Sequence, residues 1–280
     1  MENFEIYKLK KAGLSNQQVL NALEYEKRKG KKLSLRDIAV VSETVKPAIF
    51  MENYNQLDTD KLREEFEKFP SFSILDEVYP LDLKEIYNPP VLLFYQGNLD
   101  LLKLPKLAVV GSRASSKNGS LAVQKIIKEL QNELVIVSGL ARGIDTTAHM
   151  AALQAGGKSI AVIGTGLDIY YPRENSKLQQ YLSKNHLVLS EYAAGEAPLK
   201  FHFPERNRII AGLSRAVVVA EAKMRSGSLI TCERAMEEGR DVFAIPGSIL
   251  DGKSDGCHYL IQEGAKCIMS GSDVLSELQF

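Results

Sequence analysis

Tryptophan is absent from the 280 residues, and cysteine is scarce: Cys232, Cys257 and Cys267 are the only three. They show no CxxC spacing, and the four histidines do not recur at ligand intervals. An odd, sparse cysteine count excludes a disulfide framework, points away from a zinc site and suits a reducing compartment. No run approaches the roughly 18 uninterrupted apolar residues that a membrane span requires. The first residues, MENFEIYKLKK, hold neither an apolar signal core nor a cleavage site, so a cytoplasmic protein is expected. Charge of one sign is lacking as well, with 35 Lys plus Arg against 35 Asp plus Glu. That excludes coating of a polyanion by bulk positive charge; any such site must come from local arrangement of cations.

What the chain does contain is the balance of a globular protein, 45% hydrophobic and 25% charged residues. Its length suits two domains, or one large domain with an appendage. Residues 1–68 read as a small all-α domain. One short helix closes at Leu9–Gly13, Ser15 is placed to cap the next, and Pro47 suits a first turn. Leu62, Phe66 and Phe69 share a face of a later helix, and the basic cluster Lys27 to Lys32 reads as a solvated turn. A proline-marked stretch, 69–106, contains the apolar strand candidate Val91 to Tyr95 and is expected to lead into a larger domain, 69–280.

From residue 107 the pattern becomes regular. Apolar strand candidates start at Leu107, Leu134, Ser159, Leu187, Ala216 and Asp241, at intervals of 25 to 29 residues. Helix-compatible segments such as 120–130 and 144–154 lie between them. Strands apolar on both faces, each followed by a helix, predict an α/β fold: an extended Rossmann-like, doubly wound, mostly parallel sheet covered on both sides.

In such a sheet ligands bind beyond the carboxyl ends of the strands. Five loops there carry glycine or serine together with cations: Gly111-Ser112-Arg113; Ser138-Gly139 through Arg142-Gly143; Gly164 to Gly166 with Arg173; Lys200 through Arg206-Asn207-Arg208; and Lys223 through Ser226-Gly227-Ser228. Small residues let the backbone approach a ligand and offer amides at helix starts. This pattern fits an extended polyanion site, although the cations could also simply decorate exposed loops, and the opposite edge has its own in Lys158, Lys184, Arg215 and Arg240. Phe201 and Phe203 sit among these cations, as sequence-tolerant binding of single strands requires, and either ring could instead plug the gap between loop and sheet. Missing are the P-loop, GxGxxG, GxSxG and HExxH signatures. Asp145 and His149 could form an acid–base pair, but a loop-organising carboxylate and a packed histidine are the commoner arrangement. Glu191 and Glu221 could hold arginines by ion pairs. No catalytic, metal or cofactor residues are assigned; the competing reading is an enzyme processing a nucleotide or nucleotide sugar at the same sheet edge.

The segments AVVGSR (108–113), SGLARGIDTTAH (138–149), GTGLDIYYP (164–172), FPERNRIIAGLS (203–214), EAKMRSGSLIT (221–231) and IPGSILDGKSDGCHYLIQEGA (245–265) resemble, in order, the motif series of the DNA-processing protein A (DprA) family. Residues 79–98 resemble its lead-in, and the first helices resemble the sterile-alpha-motif-like domain of its streptococcal type. The resemblance implies a protein that binds and protects single-stranded DNA during natural transformation, forms a homodimer and loads a RecA-type recombinase. It implies strand contacts at Gly111, Ser112, Arg113, Ser138, Gly139, Gly143, Gly164, Gly166, Arg173, Lys200, Phe203, Arg206, Asn207, Arg208, Ser226, Gly227 and Ser228, to which the loop reading adds Arg142. It further implies a dimer surface around Met236, His258, Leu260 and Ile261, which without the resemblance would be the apolar faces of two packed helices. A regulator could dock on the helical domain, and the winged-helix domain that many relatives carry at the C-terminus is expected to be absent.

Overall fold

The computed structural model describes residues 1–278. Five helices come first: α1 (Asn3–Lys11), α2 (Asn16–Lys29), α3 (Leu35–Val41), α4 (Pro47–Gln56) and α5 (Thr59–Glu67). Local chemistry sets their ends. Ser15 and Gln18 form a reciprocal capping box on α2, and Ser34 and Asp37 form another on α3. Pro47 occupies the first turn of α4, where its missing N–H costs nothing. The helix α2 runs further than the charge pattern predicts. Lys27, Arg28 and Lys29 form its last turn, where cations suit the negative end of the helix dipole. Only at Gly30, with φ of 63°, does the chain turn.

The remaining elements are β1 (Ser71–Ser73), α6 (Leu81–Lys84), β2 (Leu92–Gly97), β3 (Lys106–Gly111), α7 (Lys117–Glu129), β4 (Val135–Ser138), α8 (Ile144–Gln154), β5 (Ser159–Ile163), α9 (Ser176–Asn185), β6 (Leu187–Ser190), α10 (His202–Leu213), β7 (Ala216–Ala220), α11 (Gly227–Glu237), β8 (Asp241–Ala244), α12 (Asp255–Gln262), β9 (Lys266–Cys267) and α13 (Gly271–Leu278). They build one sheet in the order β1-β2-β6-β5-β4-β3-β7-β8-β9. From β3 to β9 every pairing is parallel, whereas β1 and β2 add antiparallel strands at the β6 edge, with Phe94 opposite Ser190. The six strands expected from residue 107 onward are present, each within a residue of its expected start.

Strand alternation divides the core in two. Ala108, Val110, Val217 and Val219 face Ile209, Ile210 and Leu229 of α10 and α11. Leu107, Val109, Ala216 and Val218 face Val123, Ile126, Ile144 and Ala148 of α7 and α8. The first of these cores runs on without a break into the helical segment. Phe94 of β2 meets Tyr7 of α1 and Phe66 of α5, with ring centroids 5.8 and 5.7 Å away. Fully burying such a ring contributes about 1.5–3 kcal/mol, so the five helices are packed onto the sheet by apolar contact.

The chain runs outward from β3 through β4, β5 and β6, then returns to place β7 against the other side of β3. The crevice beyond the carboxyl ends of β3 and β7 is the place where a doubly wound sheet opens for a ligand.

Candidate nucleic-acid interface

A cleft of about 440 Å³ lies at that crevice, lined among others by Gly111, Ser112, Arg113, Asn207, Lys223, Ser226, Gly227 and Ser228. Its donors come from chain geometry. The hydroxyl of Ser226 caps α11 by accepting from the Leu229 amide, leaving the first-turn amides at Gly227 and Ser228 without intrahelical acceptors. These amides and the helix dipole make the mouth of α11 favourable to anions. Arg113 and Lys223 are exposed and line the same cleft. Lys223 belongs to the set although the sequence-based assignment left it out; its place in the loop that ends at Ser226 was the available signal.

The acids of the cleft are committed to the protein's own backbone. Asp145, 7% exposed, accepts from the amides of Gly139 (3.1 Å) and Ala141 (3.3 Å). Burial raises its pKa, opposed by the charge of Arg206. Glu221 accepts from the Ser116 amide at 2.6 Å and from the Ser116 hydroxyl. It therefore anchors the start of α7 instead of clamping an arginine. His149 is fully buried, with Nδ1 2.7 Å from the Ser159 hydroxyl, and burial pulls its imidazole down to about 3. The packed reading of this histidine holds, because the ring is fully buried and lines neither the cleft nor any hollow beside it.

Beside the main cleft is a smaller hollow of about 90 Å³, walled by Arg113, Arg142, Gly164, Tyr171 and Phe203. The Phe203 ring is half-buried and packs on Tyr171, with centroids 5.5 Å apart. The Arg113 guanidinium lies 5.4 Å above its centroid. An aromatic face with a cation over it suits stacking of a base beside a held phosphate. Phe201 is 63% exposed, meets His202 edge-on and lines neither hollow.

Several expected contacts are placed elsewhere. Ser138 is fully buried, and its hydroxyl donates to the Val109 carbonyl at 2.7 Å, which leaves nothing for a phosphate. The amide of Gly139 is spent on Asp145, and a Cβ at this glycine would lie 2.0 Å from Arg206 Nη1. Gly143, with φ of 72°, lets α8 start directly against the Ser112 carbonyl. Gly166 lets the loop after β5 pass the Ala193 carbonyl. These glycines shape the edge, and the amides of Gly139 and Gly166 are spent on Asp145 and the Glu196 carbonyl.

The cations divide similarly. Arg206, 4% exposed, forms part of the cleft floor and donates to the Val162 carbonyl. Burial draws its guanidinium down to about 10, against the charge of Asp145. Arg208, 6% exposed, turns to the other side of α10 and pairs with Glu191 at 2.5 Å, so it is removed from the cleft. Arg142 is exposed but gripped by Glu174 through two bonds of 2.5 and 2.8 Å. Lys200 and Arg173 are exposed and line neither hollow. In the expected dimer surface Met236 is 37% exposed, and His258 and Ile261 are half-buried. Leu260 is fully buried in the core and cannot meet a partner. Among the described residues no group of three His, Cys, Asp or Glu side chains is arranged to hold a metal, and no helix is long and apolar enough to cross a membrane.

Residues 71–279 match the family model described as DNA recombination-mediator protein A, and residues 1–62 match the DNA processing protein A sterile alpha motif domain. The chain is 71% identical over 278 residues to the DNA processing protein DprA of Streptococcus pneumoniae, covering 99% of each. It is 47% identical over 207 residues to that of Bacillus subtilis, covering 73% of this chain and 70% of the other. The X-ray structure of DprA from Streptococcus pneumoniae superposes with a TM-score of 0.98 at 70% identity, over 100% of this chain and 99% of that one. DNA processing protein A from Helicobacter pylori, described for its single-stranded DNA binding mode, matches with a TM-score of 0.68 at 30% identity, over 75% of this chain and 96% of that one.

Proposed function

The chain belongs to the DNA recombination-mediator protein A family, and from that premise we propose that it binds and protects single-stranded DNA taken up in transformation and loads a RecA-type recombinase onto it. The observation that carries this reading is the pairing of two neighbouring features, the cleft at the β3–β7 crevice and the Arg113–Phe203 stack beside it. Phosphates are held by Arg113, Lys223, Asn207 and the first amides of α11, and a base rests on Phe203. The contact set is narrower than the loop cations suggest. Gly111, Ser112, Ser226, Gly227 and Ser228 form the walls, and Gly164 belongs to the side hollow.

No covalent chemistry is assigned. The groups on which an enzymatic reading would rest, Asp145, His149 and Glu221, are each bound to the protein's own atoms. Two copies associate through a surface including Met236, His258 and Ile261, supported by the neighbouring exposure of Ile249 and Leu250 at 81% and 91%. We take residues 1–68 as a domain docked on 69–280, available to a regulator, with the whole acting in the cytoplasm.

Fluorescence anisotropy with oligothymidylate across a salt series tests the reading. Arg113→Ala is expected to weaken binding roughly tenfold for all sequences and to flatten the log–log salt slope by about 0.7. Unchanged affinity at both low and physiological salt would remove Arg113 from the site. Turnover of any member of a nucleotide panel by the pure protein would favour the enzyme.

A further inference from the structure

The turn closing α2 collects cations to a degree found nowhere else in this charge-neutral chain. Lys27, Arg28, Lys29, Lys31, Lys32 and Arg36 fall within ten residues that hold no acid. All six are exposed, and none is ion-paired among the described residues. The adjacent acids are spent. Glu26 pairs with the N-terminal amine at 3.3 Å, and Asp37 is the capping partner of Ser34. Three of the six meet the negative end of the α2 dipole, but none has a side-chain counter-charge, which leaves the cluster open to an outside anion.

The two flanks of the turn differ. On one side, between α2 and α3, a hollow is lined by Lys27 and Arg28 but also by Glu24 and Glu43. On the other, a hollow of about 300 Å³ is lined by Lys27, Gly30, Lys31 and Lys32, with Glu26 as its one acid. Tyr25 sits beneath the cluster, its ring 5.1 Å from the Arg28 guanidinium and 5.6 Å from the Lys29 ammonium. A concave basic surface, with an aromatic ring set among the cations on its other flank, matches the needs of an unpaired polynucleotide.

Sheet topology sets this surface on the same edge as the cleft. Leu75, which lines the basic hollow, follows the end of β1 at Ser73. Ser73 pairs with Leu92, and Phe94 pairs with Ser190, the last residue of β6. The end of β1 therefore lies at the carboxyl edge of the parallel strands, five strand positions from β3. At roughly 4.8 Å per position the separation is about 24 Å. Between the two surfaces, Glu191 and Glu196 are neutralised by Arg208 and Lys11.

We propose that the Lys27–Lys32 turn is a second contact surface for single-stranded DNA, engaged by a strand that is already seated in the β3–β7 cleft and long enough to cross the sheet edge to β1. The proposal rests on the single-strand reading above, and its test separates the two. A variant carrying Lys27→Gln, Lys31→Gln and Lys32→Gln is compared with wild type on oligothymidylates of about four nucleotides, too short to span the separation, and about thirty nucleotides. The short strand should bind both proteins equally, which also reports an intact fold. The long strand should bind the variant roughly tenfold more weakly at low salt, with a salt slope shallower by about 2. A control with Lys128→Gln, Lys158→Gln and Lys184→Gln, exposed at the opposite edge, should match wild type on both. If the turn variant keeps wild-type affinity and slope on the long strand, or the control loses as much, the second surface does not exist. A wild-type protein that binds neither strand overturns both readings.

Discussion

The carboxyl edge of the sheet has two halves that use the same residue types to opposite ends. Where β3 meets β7, the acids Asp145 and Glu221 bond to the protein's own backbone amides and leave Arg113 and Lys223 for a ligand. Beyond β6, two acids bond to cations instead. Glu191 takes Arg208 and the Asn16 amide, Glu196 takes Lys11, and the ends of α1 and α2 close over them. The helix α10 serves both halves. Arg206 and Arg208 are two residues apart, so they project about 200° apart around the helix axis, one into the cleft floor and one into the seam. A basic residue on this edge is thus left free for a ligand or made a structural tie according to which acid stands beside it.

The largest test of that division is Arg208→Ala. Glu191, whose side chain is 11% exposed, would lose its ion-pair partner. Removing one member of a buried pair costs roughly 3–5 kcal/mol, so the urea midpoint should fall sharply. Arg208→Met with Glu191→Leu should regain most of the loss, because neither charge is then stranded. If Arg208→Ala instead leaves the midpoint alone and weakens DNA binding, the two halves are not separate.

Why the fold was legible while the site was only half so follows from the same residues. Strands such as Ala216–Ala220 are apolar throughout and recur at βα spacing, which admits few arrangements. The crevice beyond β3 then follows from topology, and Gly111 to Arg113 and Ser226 to Ser228 with it. The rotation of side chains about α10 was not legible, since Arg206-Asn207-Arg208 reads as one basic run until the helix register is known. Ser138 and Gly139 look like phosphate ligands in sequence, yet their donors are consumed by Val109 and Asp145, partners 29 and 6 residues away. The continuity of the α1 and α5 packing with β2 was equally hidden, because Tyr7, Phe66 and Phe94 lie far apart in the chain.

A smaller effect sharpens the comparison through pH. The cleft half rests on a neutral imidazole, His149, held near 3 by burial and by the charge of Arg206. In the unfolded chain the same ring titrates near 6.5. The unfolded state therefore binds the extra proton throughout this window. Stability from this group is complete above about pH 6.5 and declines as the pH falls toward 3, on the order of 1 kcal/mol per unit. His149→Gln should remove that share of the slope in urea titrations at successive pH values. A variant with the wild-type slope would mean that another group carries the acid sensitivity.

The smallest expected effect concerns Arg142, which belongs to the cleft half by position and to the seam half by pairing. It lines the side hollow next to Phe203 but is held by Glu174 in an exposed bidentate pair. Glu174→Gln removes the competing charge without shortening the side chain. Binding of oligothymidylate should tighten by about twofold to threefold at low salt, with a slope steeper by up to about 0.7 if Arg142 gains one phosphate. The gain should fade as salt rises, since an exposed charge is screened within about 10 Å at 0.1 M. Arg142→Ala should then change wild-type binding little and abolish the gain in the Glu174→Gln background. A wild-type background in which Arg142→Ala costs as much as Arg113→Ala would show that the glutamate is no restraint, and that pairing with an acid does not divide the edge.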